Sequence, residues 1–424
     1  MTRPLVAYVC ADRGIPILGT KGGSTHIREL VNAMARRGAE VWVLAARTTD
    51  GGGGAPLRAR IIEVGTERFP RALRSRIRSI ASGAAGEVIG SETFGLLLNQ
   101  ELYLRLQGLH ARHRIDAIYE RYSLWGYAGL TFARDHGIPF LLEVNAPLRI
   151  EQARFRALNN AVLAEALEGQ LLQLADRVVV PSSVLRDYVV SRGARPGRVR
   201  LVPNAADPVA FRRPTEAASA NDHGSTFVIG FLGSLKPWHG VDDLLRGFVR
   251  LCRRSPSYRL LIVGDGPLRP TVEQVRRGEG LGAAVHVTGD VDYARVPGLL
   301  WRMDVAVAPY PPLTNFYFSP LKIYEYMAAG VPIVASAVGQ VREVLTHRKT
   351  ALLHPPGSVK KMTEHIEELR ARPHLRARLA REARRLAAKR FTWDRNAARV
   401  LAMIETLRRQ VHEGRYAPAE EPVL

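Results

Sequence analysis

Cysteine is nearly absent from these 424 residues: Cys10 and Cys252 stand far apart in sequence. Two such residues build neither a disulfide framework nor a zinc site, and they point to a reducing, cytoplasmic setting. No apolar run approaches the roughly 20 residues that span a bilayer. The N-terminus enters a strand-like segment, LVAYVCA, without a leader pattern. The dinucleotide fingerprint is missing too. The glycine-rich stretch after the first strand is not G-x-G-x-x-G, and no acidic residue follows the second strand, EVWVLAA, as that fingerprint requires. Acidic residues are scarce relative to basic ones, 40 against 61, for a net charge of +21. Such an excess fits an anionic partner (nucleic acid, an acidic membrane surface or a phosphate-bearing substrate), or arginine spread over solvated helix faces. No basic recognition helix or aromatic reader module accompanies it, so nucleic acid is not expected as a partner.

What is present is an ordinary globular composition, 46% hydrophobic and 24% charged. The length exceeds one ordinary core and predicts two domains. Short β-branched runs alternate with amphipathic helices through both halves: LVAYVCA, THIRELVNAMARRG, EVWVLAA, then IDAIYE, YAGLTFARDHG and IPFLLEV. After the small, polar stretch PTEAASANDHGST (214–226), which reads as a linker, the cycle restarts with FVIGFLGS, GVDDLLRGFVRLCRR and YRLLIVGDG. This alternation predicts α/β architecture: two Rossmann-like, doubly wound domains in tandem. The boundaries expected are 1–206 and 207–392, with a C-terminal helix over about 393–415 joining the first domain. One segment breaks the pattern. RFPRALRSRIRSIASGAAGEVIG, basic over 68–78, is either an amphipathic helix on an anionic membrane or a solvated helix packed on its own domain.

In open α/β sheets, ligands bind at the carboxyl ends of strands, so the strand-to-helix loops carry the chemistry. In GIPILGTKGGSTHIREL, Gly22 and Gly23 precede Ser24 and Thr25, which read as helix N-caps; the loop offers amides to an anion or is simply a tight turn. In GFLGSLKPWHGVDDLL, Ser234, Lys236 and His239 converge where a phosphate could sit; the alternatives are a solvated lysine and a structural histidine. In FYFSPLKIYEYMAAGVPIVAS, Ser319 is expected as N-cap and Pro320 as the first helical residue. Lys322 and Glu325 then share a helix face, as a diphosphate and ribose grip or as a surface ion pair.

Taken in order, GTKGGSTHIREL, DRVVVPSS, VPNAADPVAF, GFLGSLKPWHG, LLIVGDGP, VTGDV, DVAVAPYP and SPLKIYEYMAAGVPIVAS make the chain resemble glycosyltransferase family 4, across nearly its whole length. The resemblance implies a GT-B fold, its two domains facing a central cleft and its last helices crossing back. It implies a retaining, metal-independent transfer of a sugar from a UDP- or GDP-linked donor to a glycan, lipid-linked or small-molecule acceptor, with no cofactor. Glu325 matches the family glutamate that binds the donor ribose. Tyr317 stands where an acidic residue usually touches the transferred sugar. Ser234 and His239 replace the cations that usually hold the diphosphate, and Lys236 and Lys322 are on hand instead. Asn145 stands where many members carry a histidine near the reacting sugar. Gly22 and Gly23 match the loop facing the donor phosphates, Val291 the region packing on the base, and Ser319, Pro320 and Leu321 the approach to the diphosphate grip.

Glu120, Arg121, Tyr122 and Glu143, at strand ends of the first domain, are candidates for the acceptor side or structural groups. Asp290 and Asp292 have the letters of a metal site but the wrong surroundings. Two other functions compete: a nucleotide-sugar epimerase, for which no acid/base pair is found, and a non-catalytic nucleotide-sugar binder or partner subunit, motivated by Tyr317. A peripheral contact with the inner face of the membrane is expected only through 68–78.

Overall fold

The computed structural model describes residues 3–49, 56–65, 76, 84–214 and 226–418. The linker at 214–226 and the basic stretch 68–78 lie outside these, apart from residues 76, 214 and 226.

The chain divides into two units, Met1–Pro203 with Asp394–Leu424, and Asn204–Trp393. The first is built on seven strands: β1 (Leu5–Cys10), β2 (Glu40–Ala45), β3 (Arg60–Glu63), β4 (Ala117–Arg121), β5 (Phe140–Glu143), β6 (Arg177–Val180) and β7 (Val199–Leu201). The second has six: β8 (Phe227–Leu232), β9 (Tyr258–Val263), β10 (Val285–Val287), β11 (Val305–Ala308), β12 (Ile333–Ser336) and β13 (Leu352–His354). The strand orders are β3-β2-β1-β4-β5-β6-β7 and β10-β9-β8-β11-β12-β13. Every ladder between these strands is parallel.

The sequence dictates this layering. A central parallel strand is covered on both faces and must be apolar throughout, as LVAYVC in β1 is, with all six residues buried. The covering helices are amphipathic. Helix Val241–Arg254 buries Val241, Leu244, Leu245, Phe248 and Leu251, spaced three and four apart, and leaves its arginines outside. In each sheet the winding direction reverses between the two central strands, β1 and β4, then β8 and β11. Connections diverge there and leave a crevice at the carboxyl ends.

The final helix, Trp393–His412, returns to the first unit. Asn396 Nδ2 donates to the Pro203 carbonyl at 2.7 Å, Arg408 pairs with Asp116 at 3.0 Å, and beyond the helix Tyr416 Oη donates to Asp176 at 2.7 Å. Among the described residues no helix is long and apolar enough to cross a membrane.

Candidate functional site

In the second unit the helix Leu321–Ala329 follows β11 and is buried at every position from Lys322 to Ala329. Its start differs from the expectation. Pro320 is the N-cap, at φ −74° and ψ 113°, and the helix opens at Leu321. Ser319 makes no cap. Its hydroxyl accepts from the Asn204 amide at 3.3 Å and its carbonyl from Asn204 Nδ2 at 2.6 Å, so a tertiary partner has taken the local capping group.

Lys322 is no surface lysine. It is 7% exposed, and its Nζ has no hydrogen-bond partner. The ammonium lies 4.1 Å from the centre of the Phe231 ring and 5.6 Å from that of Tyr310, so two π faces lie close to the charge. Burial pulls its pKa down to about 7, against the upward pull of Glu325. Glu325, one turn on, is buried as well. The expected alternative of a solvated ion pair is therefore excluded.

The loop after β8 is shaped around this ammonium. A Cβ at Gly233 would stand 3.0 Å from Lys322 Nζ, and Gly233 has φ +130°, which only glycine adopts freely. At Gly240, φ +73°, a Cβ would fall 1.7 Å from the Pro309 carbonyl oxygen, so glycine lets the loop lie on the end of β11. Between them, His239 Nδ1 donates to the Ser234 carbonyl at 2.5 Å. Burial, then the charge of Lys322, lowers the His239 pKa to about 3, so the ring is neutral. Its Nδ1 proton is committed, which leaves Nε2 as an acceptor. Lys236 is half-buried with its Nζ 5.1 Å from the Trp238 ring centre. The aromatic row continues from Tyr310 to Phe316 at 4.8 Å, Phe316 to Phe318 at 5.4 Å and Phe318 to Tyr317 at 4.2 Å. Val291, half-buried, packs on the core of this unit.

In the first unit a charged cluster lies at the carboxyl ends of β1, β4 and β5. Glu143 receives His26 Nε2 at 2.6 Å and Tyr8 Oη at 3.1 Å, with Arg121 Nη1 at 3.7 Å. Burial alone would raise the Glu143 pKa; His26, Arg121 and Tyr119 outweigh it and hold the carboxyl at about 2. Arg121 Nη1 and Asn145 Nδ2 are buried donors without hydrogen-bond partners. Cys10 closes β1 beside them, its thiol pushed up to about 12 by burial and therefore inert.

Ser24 and Thr25 are not caps: the helix Gly22–Arg36 begins at Gly22 with Lys21 as N-cap, and Ser24 Oγ donates to the Pro16 carbonyl at 2.5 Å. Glu120 and Tyr122 also leave the cluster. Successive strand residues point to opposite faces, so Glu120 turns away from Arg121 toward the Gly129 amide. Its carboxyl is pushed up to about 8 by burial, partly offset by that amide. Tyr122 Oη donates to Glu168 at 3.1 Å. His26 escaped the sequence reading because its partner is 117 residues away. The one local signal was a histidine in the first turn after the glycine pair.

Among the described residues no group of three or more His, Cys, Asp or Glu side chains could hold a metal ion.

Comparisons with known proteins agree with this architecture. Residues 21–205 match the family described as glycosyl transferase 4-like domain, and residues 226–372 match glycosyl transferases group 1. A D-inositol 3-phosphate glycosyltransferase of Kineococcus radiotolerans is 27% identical over 94% of this chain and 93% of its own. The solved structure of sucrose-phosphate synthase from Thermosynechococcus elongatus superposes with a TM-score of 0.73 at 20% identity, over 97% of this chain and all of that one. Anabaena HepE, solved with UDP-glucose, gives 0.69 at 17% identity, over 95% of this chain and all of its own. The two family matches fall one on each unit, in order, and the two sheets have the topology of those structures. This chain belongs to family 4 of the glycosyltransferases, with the GT-B fold.

Proposed function

We propose that the protein is a retaining glycosyltransferase that moves a hexosyl group from a UDP- or GDP-linked donor to an acceptor hydroxyl, without a cofactor or a metal. The observation that carries this is Lys322: a buried ammonium whose Nζ has no hydrogen-bond partner, at the carboxyl end of the second sheet, is suited to receive an anion. In this proposal unit Asn204–Trp393 is the donor domain and unit Met1–Pro203 the acceptor domain. Anabaena HepE, solved with UDP-glucose, supports the donor class, and the D-inositol 3-phosphate glycosyltransferase supports a polar, hydroxyl-rich acceptor.

In this reading each candidate residue has a role. Lys322 and Lys236 neutralise the diphosphate as it departs, aided by Ser234 and the amide of Leu321. Ser319 and Pro320 set the start of the helix that carries Lys322 and Glu325. Glu325 accepts from the ribose diol, Val291 lies against the base, and Tyr317 against the transferred sugar. His239 presents Nε2 to a donor hydroxyl. On the acceptor side, Arg121 and Asn145 offer their free donors, with Arg121 steadied by Glu143 and His26. The bond from the anomeric carbon to the phosphate oxygen breaks, the acceptor oxygen bonds to the same face, and its proton passes to the departing phosphate.

The test is to incubate the protein with UDP- and GDP-linked hexoses and a panel of acceptors, following the anomeric signal by NMR. Product of the donor's own configuration, with no added metal, is expected. Inverted product, an epimerised donor without acceptor, or binding without transfer across the whole panel would overturn the proposal.

A further inference from the structure

The second unit begins at Asn204 and ends at Trp393. Its two ends are tied to each other: the Ala206 amide donates to the Phe391 carbonyl at 3.1 Å, and Ala206 and Thr392 form a parallel bridge. Both ends also reach the helix that carries Lys322 and Glu325. At the first, Asn204 is buried and holds Ser319 at two points, its amide on the hydroxyl and its Nδ2 on the carbonyl. At the second, the Phe391 ring meets that of Tyr324 edge-on, with centres 5.3 Å apart. The Ser319 hydroxyl in turn bonds that of Tyr324, which donates to Gln340 Oε1 at 3.0 Å. A chain of polar groups thus runs from Asn204 through Ser319 and Tyr324 to Gln340, and such chains strengthen their own bonds.

The start of this helix depends on that clamp. Its N-cap is Pro320, whose side chain has no oxygen to cap with. The proline ring fixes φ, so the direction in which the helix sets out is decided at Ser319 and at ψ of Pro320. Holding the Ser319 carbonyl and hydroxyl together fixes the plane of the peptide that leads into Pro320. Lys322 leaves the helix two residues later, where there is little room for it to shift. A Cβ at Gly233 would already stand 3.0 Å from its Nζ, and the Phe231 and Tyr310 rings lie on other sides. Asparagine suits the clamp. An aspartate would set a carboxylate oxygen against the Ser319 carbonyl, and an alanine would leave that carbonyl without its donor.

We propose that Asn204 is a positioning residue for the donor grip: through Ser319 it fixes where the Lys322 ammonium stands. It acts from the first residue of the second unit, well over a hundred positions ahead of the group it places. The inference rests on the reading of Lys322 as the cation that meets the donor diphosphate, but its first test needs no donor.

That test is the titration of Lys322 in the ligand-free full chain, followed by the Cε resonance of labelled lysine and assigned by its loss in Lys322→Met. The charged groups near Lys322 are Glu325 on its own helix, and Lys236 and His239 in the loop after β8. All three are kept in the variants. Asn204→Ala lets the helix start relax and admits water to the ammonium, so the Lys322 midpoint should rise by about one pH unit. Ser319→Ala, which loses one bond of the two, should give a smaller rise. In transfer assays Asn204→Ala and the isosteric Asn204→Asp should each raise the KM for the sugar nucleotide about tenfold and leave the acceptor KM within twofold of wild type. A general loss of structure would raise both. An unchanged Lys322 midpoint in Asn204→Ala, or in Ser319→Ala should the first variant not fold, would overturn the proposal, as would an unchanged donor KM or equal rises in both KM values. Should wild type transfer no sugar, the enzymatic reading falls, and the titration alone decides whether Asn204 places Lys322.

Discussion

Lys322 Nζ stands 4.1 Å from the centre of the Phe231 ring, buried and reached by no hydrogen-bond acceptor. A protein gains nothing in stability by holding an ammonium in such a place, so the arrangement trades stability for binding. The clearest consequence is opposed effects of one substitution. Lys322→Met keeps the volume and removes the charge. We expect it to stabilise the fold by about 1–4 kcal/mol, read as a higher Tm, and to lower transfer by about 10²–10³-fold. A fall in both would contradict the assignment.

Donor affinity should depend on pH in a defined window. With its pKa near 7, Lys322 already carries its charge in the free protein below pH 7. Above that, the donor must bring a proton with it. Affinity for a nucleoside diphosphate sugar should be flat below pH 7 and then fall by up to tenfold per unit as pH rises, until the raised pKa of the bound state is reached. His239, with a pKa near 3 in the free protein, does not titrate in that window. Direct binding measured between pH 6 and 9 checks this; a flat profile would count against Lys322.

Glu120 predicts a pH dependence of stability rather than of binding. Its folded pKa, about 8, lies above the ordinary 4.5, so the native state binds more protons than the unfolded chain between those values. The Glu120 contribution is complete below pH 4.5 and is lost as pH rises through 8, at up to about 1.4 kcal/mol per unit. Glu120→Gln keeps the neutral shape. Its Tm should match wild type at pH 5 and exceed it at pH 8.5. Equal melting curves at both would show that the carboxyl is not held neutral.

His26 should matter to transfer but not to donor binding. Removing it takes a 2.6 Å bond from the buried Glu143 and frees Arg121 to turn. We expect His26→Ala to cost about 1.5–3 kcal/mol in stability and to reduce kcat at least tenfold, with nucleotide affinity within twofold of wild type. Calorimetric binding beside steady-state kinetics separates these effects.

Most of the architecture was legible in sequence, because hydrophobic periodicity reports burial directly. LVAYVC and FVIGFL read as covered strands and are covered strands. What was not legible depended on partners distant in the chain. Ser319 and Pro320 look like a cap and a first helical residue, yet Asn204 claims Ser319 and moves the start by one residue. Glu120, Arg121 and Tyr122 look like one group, but a strand sends neighbours to opposite faces. Lys322 and Glu325 look like a surface pair, and only the packed second unit shows that both are buried. The pairing of His26 with Glu143 has no sequence signal beyond the histidine itself.

The central claim is that Lys322 binds the donor diphosphate as a cation. Its most direct test is isothermal titration of wild type and Lys322→Met with UDP- and GDP-linked hexoses at pH 8, in two buffers of different ionisation heat. The account predicts that wild type binds one of the two nucleotide classes with uptake of close to one proton, and that Lys322→Met binds at least a hundredfold more weakly with no uptake. Equal affinity in the variant, or wild-type binding without proton uptake, would contradict it.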